Sequence, residues 1–77
     1  MKIQVLGTGC AKCHKLESNV REAVAELGSD AQVEKVEDLA AITSYGVMMT
    51  PALAIDGDVK IMGKVPGVEE IKRLIAE

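Results

Sequence analysis

Polar and apolar residues alternate at the start of the chain: Lys2, Ile3, Gln4 and Val5, followed by Leu6. That two-residue period predicts a strand over Lys2–Leu6, ended by Gly7-Thr8-Gly9. The pattern then changes period. Leu16, Val20, Ala23, Val24 and Leu27 fall on one face of a helix of about four turns. Lys15, Ser18, Arg21, Glu22 and Glu26 take the wet side, and Gly28 stands where a helix-ending glycine belongs. A second strand is expected over Ala31–Val36, although its alternation is imperfect. Asp38 is placed as the N-cap of a short helix with Leu39, Ile42 and Tyr45 inward and Gly46 at its end.

The next apolar run does not alternate. Ala52–Asp56 opens with four consecutive apolar residues, the mark of a strand covered on both faces and therefore central. Asp56-Gly57-Asp58 signals a hairpin, with Val59–Met62 as the returning strand. Pro66-Gly67 opens a last helix whose apolar face is Val68, Ile71, Leu74 and Ile75. The order is β-α-β-α-β-β-α. A helix between the first two strands makes them parallel, with a right-handed crossover, and the hairpin adds antiparallel strands. The fold class is α/β: a mixed four-stranded sheet with helices packed on it. No linker, repeat or low-complexity segment interrupts it, so residues 1–77 are expected to form one domain.

Composition narrows the function. Of the 77 residues, 48% are hydrophobic, but Tyr45 is the sole aromatic and the formal net charge is −3. Single-strand readers stack bases on aromatic platforms and duplex readers carry strong positive charge, so nucleic acid is not an expected partner. The apolar run after Met1-Lys2 ends at Leu6. A secretory core needs roughly 7–15 apolar residues and a membrane span about 20, so the expected location is the cytoplasm, away from membranes. In a reducing compartment, two cysteines three apart are catalytic or metal-binding before they are a permanent staple.

Those cysteines stand in "GTGCAKCHKLES", Gly7 to Ser18. Cys10 and Cys13 fall at the mouth of the first helix, about one turn apart, so both sulfurs share one face. The first helical turn exposes unpaired N–H groups and the positive end of the dipole, which favours a thiolate, the nucleophilic form. Cys10 lies outermost. Lys12, His14 and Lys15 add positive charge, and Cys13, one turn in, is expected to be more buried. In this reading Cys10 attacks a substrate disulfide and Cys13 then displaces the substrate from Cys10. Other chemistries share the motif. Zinc wants four ligands and the only histidine, His14, points about 100° away from Cys13 on a helix. Cu(I) accepts two thiolates, but small copper carriers run β-α-β-β-α-β and end in a strand. Cys10-Ala11-Lys12-Cys13-His14 also matches the haem attachment pattern literally, without the export that attachment normally follows.

A second signal is "MMTPALAIDG". Proline cannot donate to a ladder, so Pro51 belongs at the first residue of its strand. The cysteine pair, the TPAL and IDG stretches and the intervening "DLAAITSYGV", in this order, resemble the small thioredoxin-like, glutaredoxin-like redox-active disulfide proteins of archaea and bacteria. The resemblance covers the whole chain and implies a thioredoxin fold. It implies Cys10 as attacking thiol, Cys13 as resolving thiol, and Pro51 as a cis-proline facing the pair. It further implies that the backbone of Thr50 pairs with an extended substrate segment. The chain departs from thioredoxin's W-C-G-P-C, having Gly9-Cys10-Ala11-Lys12-Cys13. Its first strand also lacks the buried acid that thioredoxin carries. "MGKVPGVEE" matches poorly the loop with which glutaredoxins hold glutathione.

The expected activity is thiol–disulfide exchange by a protein-disulfide oxidoreductase that needs no cofactor and no metal. Its partners would be a disulfide-containing protein substrate and a reductase. Thr8, Lys12 and His14 are candidate tuners of the thiolate, and Met48 and Met49 a candidate apolar rim for a protein substrate. The chain is expected to be a monomer. A soft-metal carrier and a redox sensor using the same two cysteines are the alternative readings.

Overall fold

The computed structural model describes residues 1–9 and 11–76; Cys10 and Glu77 lie outside the described residues. The elements are β1 (Lys2–Leu6), α1 (Ala11–Leu27), β2 (Gln32–Val36), α2 (Leu39–Ser44), β3 (Ala52–Ile55), β4 (Asp58–Met62) and α3 (Val68–Ala76). The four strands form one sheet in the order β2-β1-β3-β4. β1 runs parallel to β2 and antiparallel to β3, and β4 returns antiparallel to β3. The unbroken apolar run of β3 lies inside the sheet, with all four residues buried. Asp56 is not its last residue: with φ +50, followed by Gly57 at +89, it forms the hairpin turn. Two positive φ values at the centre of a two-residue loop are what a twisted antiparallel pair requires. A register shift at Leu53/Ala54 interrupts the β3–β4 ladder.

Each sheet face buries a different set of side chains. Ile3 and Val5 of β1, with Leu53 and Ile55 of β3, pack against Leu16, Val20 and Ala23 of α1 and Ile71 and Ile75 of α3. Leu6, Ala52 and Ala54 face the other way and meet Ile42 of α2 and Val47. Both α1 and α3 therefore cover one face, and the short α2 covers the other. Gln4 points to this second face and is buried despite its amide. Its amide nitrogen donates to Glu34 on β2 at 2.9 Å, and its carbonyl oxygen accepts from the Tyr45 hydroxyl. A buried amide is tolerated because both its ends are paired.

The helix boundaries follow local chemistry. The Asp38 side chain accepts from the Ala41 N–H at 3.2 Å and opens α2, which Tyr45 caps at its end. Past α1, Gly28 adopts φ +62, and the Gly28 and Ser29 N–H groups return to the carbonyls of Ala25 and Val24. This left-handed closure is one that glycine makes without a Cβ penalty. Two residues expected to face inward do not. Leu39 is 67% exposed, because a helix of six residues turns only one apolar side chain onto the sheet, and Ile42 holds that place. Leu27 is also exposed. A helix of 17 residues is about 25 Å long, while five-residue strands span about 17 Å, so the last turn of α1 overhangs the sheet.

Candidate active site

The end of β1, the start of α1 and the start of β3 converge at the C-terminal edge of the parallel pair. The Gly7 N–H donates to the Val36 carbonyl at 3.0 Å, extending the β1–β2 ladder by one residue and fixing where the chain leaves the sheet. Thr8 then lies exposed in a bend. Cys13 is the third residue of α1, in its first turn, and is buried. That turn carries no acidic residue. Lys12 and His14, on either side of Cys13 in sequence, are exposed. Unpaired backbone N–H groups and the positive helix end thus lie next to a cysteine with no carboxylate in the same turn to oppose them.

The Cys13 sulfur packs against Gly7. A methyl group in place of the Gly7 hydrogen would fall on Cys13 Sγ and stand 3.9 Å from the Pro51 Cα. Pro51 is buried, the Thr50–Pro51 peptide bond is cis, and the Pro51 carbonyl accepts from the Gly63 N–H at 2.8 Å. Gly7 and Cys13, with Pro51 from far along the chain, therefore share one small volume. Thr50 is exposed immediately beside it in sequence. Next to Thr50, Met48 and Met49 are 92% and 59% exposed, and the Met49 side chain lies over Gly63. This is an apolar margin in open solvent, on the chain that enters Pro51.

Cys10, the attacking thiol of the sequence reading, lies outside the described residues. Two residues without a place in that reading do stand at the site. One is Gly7, whose role is steric and becomes visible only once Cys13 is folded against it. The other is Glu37, directly after β2, whose carboxylate oxygen would lie 3.2 Å from a Cβ on Gly9. A glutamate at the end of a parallel edge strand reaches the loop after the neighbouring strand, a proximity that the sheet order creates. Among the described residues, no group of three or more His, Cys, Asp or Glu side chains comes together to hold a metal ion. No helix among them is long and apolar enough to cross a membrane.

These features, a βαβ unit with a buried cysteine in the first turn of its helix beside a cis-proline that opens a central strand, agree with the comparisons. The family model described as "Thioredoxin domain" matches residues 1–76. A thioredoxin of Methanothermobacter thermautotrophicus is 53% identical over 76 residues, covering 99% of each chain. A thioredoxin of Methanocaldococcus jannaschii is 47% identical over 70 residues, covering 91% of this chain and 80% of the relative. A probable thioredoxin of Methanothermobacter marburgensis is 36% identical over 81 residues, covering 100% of this chain and 94% of the relative. The chain belongs to the thioredoxin family. It is a thiol–disulfide oxidoreductase of that type, built on the thioredoxin fold.

Proposed function

We propose that Cys10 and Cys13 carry the exchange, Cys10 as attacking and Cys13 as resolving thiol, on disulfides of protein substrates. The Cys10 thiolate attacks one sulfur of a substrate disulfide, expelling the other as a thiolate and leaving a mixed disulfide. Cys13 then attacks the Cys10 sulfur. The bond to substrate breaks, the Cys10–Cys13 bond forms, and the substrate leaves carrying two electrons as a dithiol. A reductase returns those electrons. The observation that carries this reading is the buried Cys13, in the first turn of α1, with its sulfur against Gly7 and Pro51 on the far side of the same small space. A resolving thiol needs such a position, shielded from outside oxidants.

Thr50 and Pro51 are the proposed substrate-binding segment, with the exposed Thr50 backbone pairing an extended substrate strand. Met48 and Met49 give that substrate an apolar rim. Thr8, Lys12 and His14 tune the thiolate, Lys12 through the charge of its ammonium group. In this reading the protein acts as a single-domain monomer over residues 1–77, in the cytoplasm, with no metal or organic cofactor.

The test is turnover of a protein disulfide in the presence of dithiothreitol. The wild-type chain is expected to accelerate it. Cys10→Ser is expected to abolish the acceleration, and Cys13→Ser, mixed with the same protein disulfide in the absence of dithiothreitol, to accumulate a covalent adduct visible by non-reducing electrophoresis. An adduct on Cys10→Ser, or wild-type rates in either variant, would contradict the assignment.

A further inference from the structure

Gly7 is glycine for want of space. It is not among the residues with positive φ, so its backbone conformation alone does not exclude a side chain. Its surroundings do. A Cβ there would overlap Cys13 Sγ and lie 3.1 Å from Cys13 Cβ and 3.9 Å from the Pro51 Cα. Neither backbone is free to yield. Gly7 is tied to Val36 through its N–H, and α1 is anchored on the sheet by Leu16, Val20 and Ala23. The one soft coordinate is the torsion of the Cys13 side chain, whose alternative wells put the sulfur elsewhere.

We propose that Gly7 is a positioning residue for the exchange: the space left by its missing side chain holds the Cys13 sulfur and so sets the rate at which Cys13 displaces substrate from Cys10. The inference rests on the reading of Cys13 as the resolving thiol. It assigns Gly7 to the second step alone. In that step the Cys13 thiolate attacks Cys10 Sγ, the new Cys10–Cys13 bond forms, and the leaving sulfur departs with the electron pair of the broken bond. The first step uses Cys10 and the substrate and does not involve the Cys13 sulfur.

The aromatic disulfide 5,5′-dithiobis(2-nitrobenzoate) separates the two steps. Attack by Cys10 releases one coloured thiolate, and closure of the Cys10–Cys13 bond releases the second. Wild type is expected to release both, the second promptly. Gly7→Ala is expected to release the first at the wild-type rate and the second roughly 10- to 100-fold more slowly, since misplacing a reacting atom by about 1 Å can cost about 100-fold. A second release as fast as wild type would overturn the proposal, and so would equal slowing of both releases, which marks general distortion. A wild-type chain that releases only one equivalent would instead overturn the reading of Cys13. Stability supplies an independent arm. Gly7→Ala is expected to lower the melting temperature less in a Cys13→Ala background, where the overlapping sulfur is gone. An equal drop in both backgrounds would show that the sulfur is not what fills the space.

Discussion

The two faces of the sheet are held by different physics. The face under α1 and α3 is aliphatic and broad: Ile3, Val5, Leu53 and Ile55 from the strands meet Leu16, Val20, Ile71 and Ile75. The face under α2 is narrow, with Ala52 and Ala54 in place of large residues and a buried amide, Gln4, in its floor. Bulk burial contributes about 1.5–3 kcal/mol per large side chain, so the first face supplies most of the stability. The second face supplies little bulk but leads, through Tyr45, Gly46 and Val47, into the chain that carries Met48 to Pro51. One side of the molecule therefore stabilises it, while the other positions the loop of Met48 to Pro51, the proposed substrate-binding segment, on a small, polar-stitched base. Cys13 links the two, because its helix belongs to the first face and its sulfur packs against Gly7, which also neighbours Pro51 at the end of that loop.

Breaking the first face should have the largest effect on stability. Leu16→Ala, at a fully buried position, is expected to cost about 2–5 kcal/mol, read by chemical denaturation. Ile42→Ala on the second face is expected at the lower end, about 2 kcal/mol, because its cluster is smaller. A loss for Ile42→Ala as large as for Leu16→Ala would show that the faces are energetically equal.

Tyr45→Phe is smaller still but more telling. It removes the hydroxyl that donates to the buried Gln4 carbonyl and leaves that oxygen without its donor. The expected cost is about 1–2 kcal/mol, by the penalty for an unpaired buried acceptor. If the second face positions the loop, the variant should also raise KM for a protein disulfide several-fold and leave kcat near wild type. An unchanged KM would separate the polar network from the site.

The smallest effect is electrostatic and belongs to the first face. Glu17 on α1 loses some solvent, which alone would raise its pKa, but the Arg21 hydrogen bond and the nearby Lys35 prevail and hold it below its ordinary value. A carboxylate depressed in the folded state contributes stability above its unfolded pKa, and that contribution disappears as pH falls through the folded value. Stability measured downward from neutral pH should therefore fall on the acid side of the ordinary carboxylate range, and less steeply in Glu17→Gln. Identical pH profiles would show that the Glu17 carboxylate adds nothing to stability.

Much of this was legible in the sequence because periodicity reports burial. The unbroken run at Ala52–Ile55 marked the central strand, Asp56-Gly57 its hairpin, and the position of Cys13 one turn into α1 its burial. What stayed hidden depends on contacts between distant segments. Gln4 reads as the wet member of an alternating strand and becomes buried only because β1 lies between β2 and β3, with Tyr45 above it. Leu39 and Leu27 carry the helical period yet face out, since periodicity selects a helix face and not how far the sheet beneath it extends. Gly7 looked like the end of a strand, and only the folded position of the Cys13 sulfur shows that a methyl group has no room there.

The most direct test is to equilibrate the wild-type chain in glutathione buffers of graded potential, alkylate the remaining thiols and weigh the products. An exchange centre made of two cooperating thiols predicts only doubly alkylated and fully unalkylated chains, crossing at a single potential. A persistent singly alkylated chain bearing one glutathione, or two alkylated thiols even at the most oxidising poise, would contradict it.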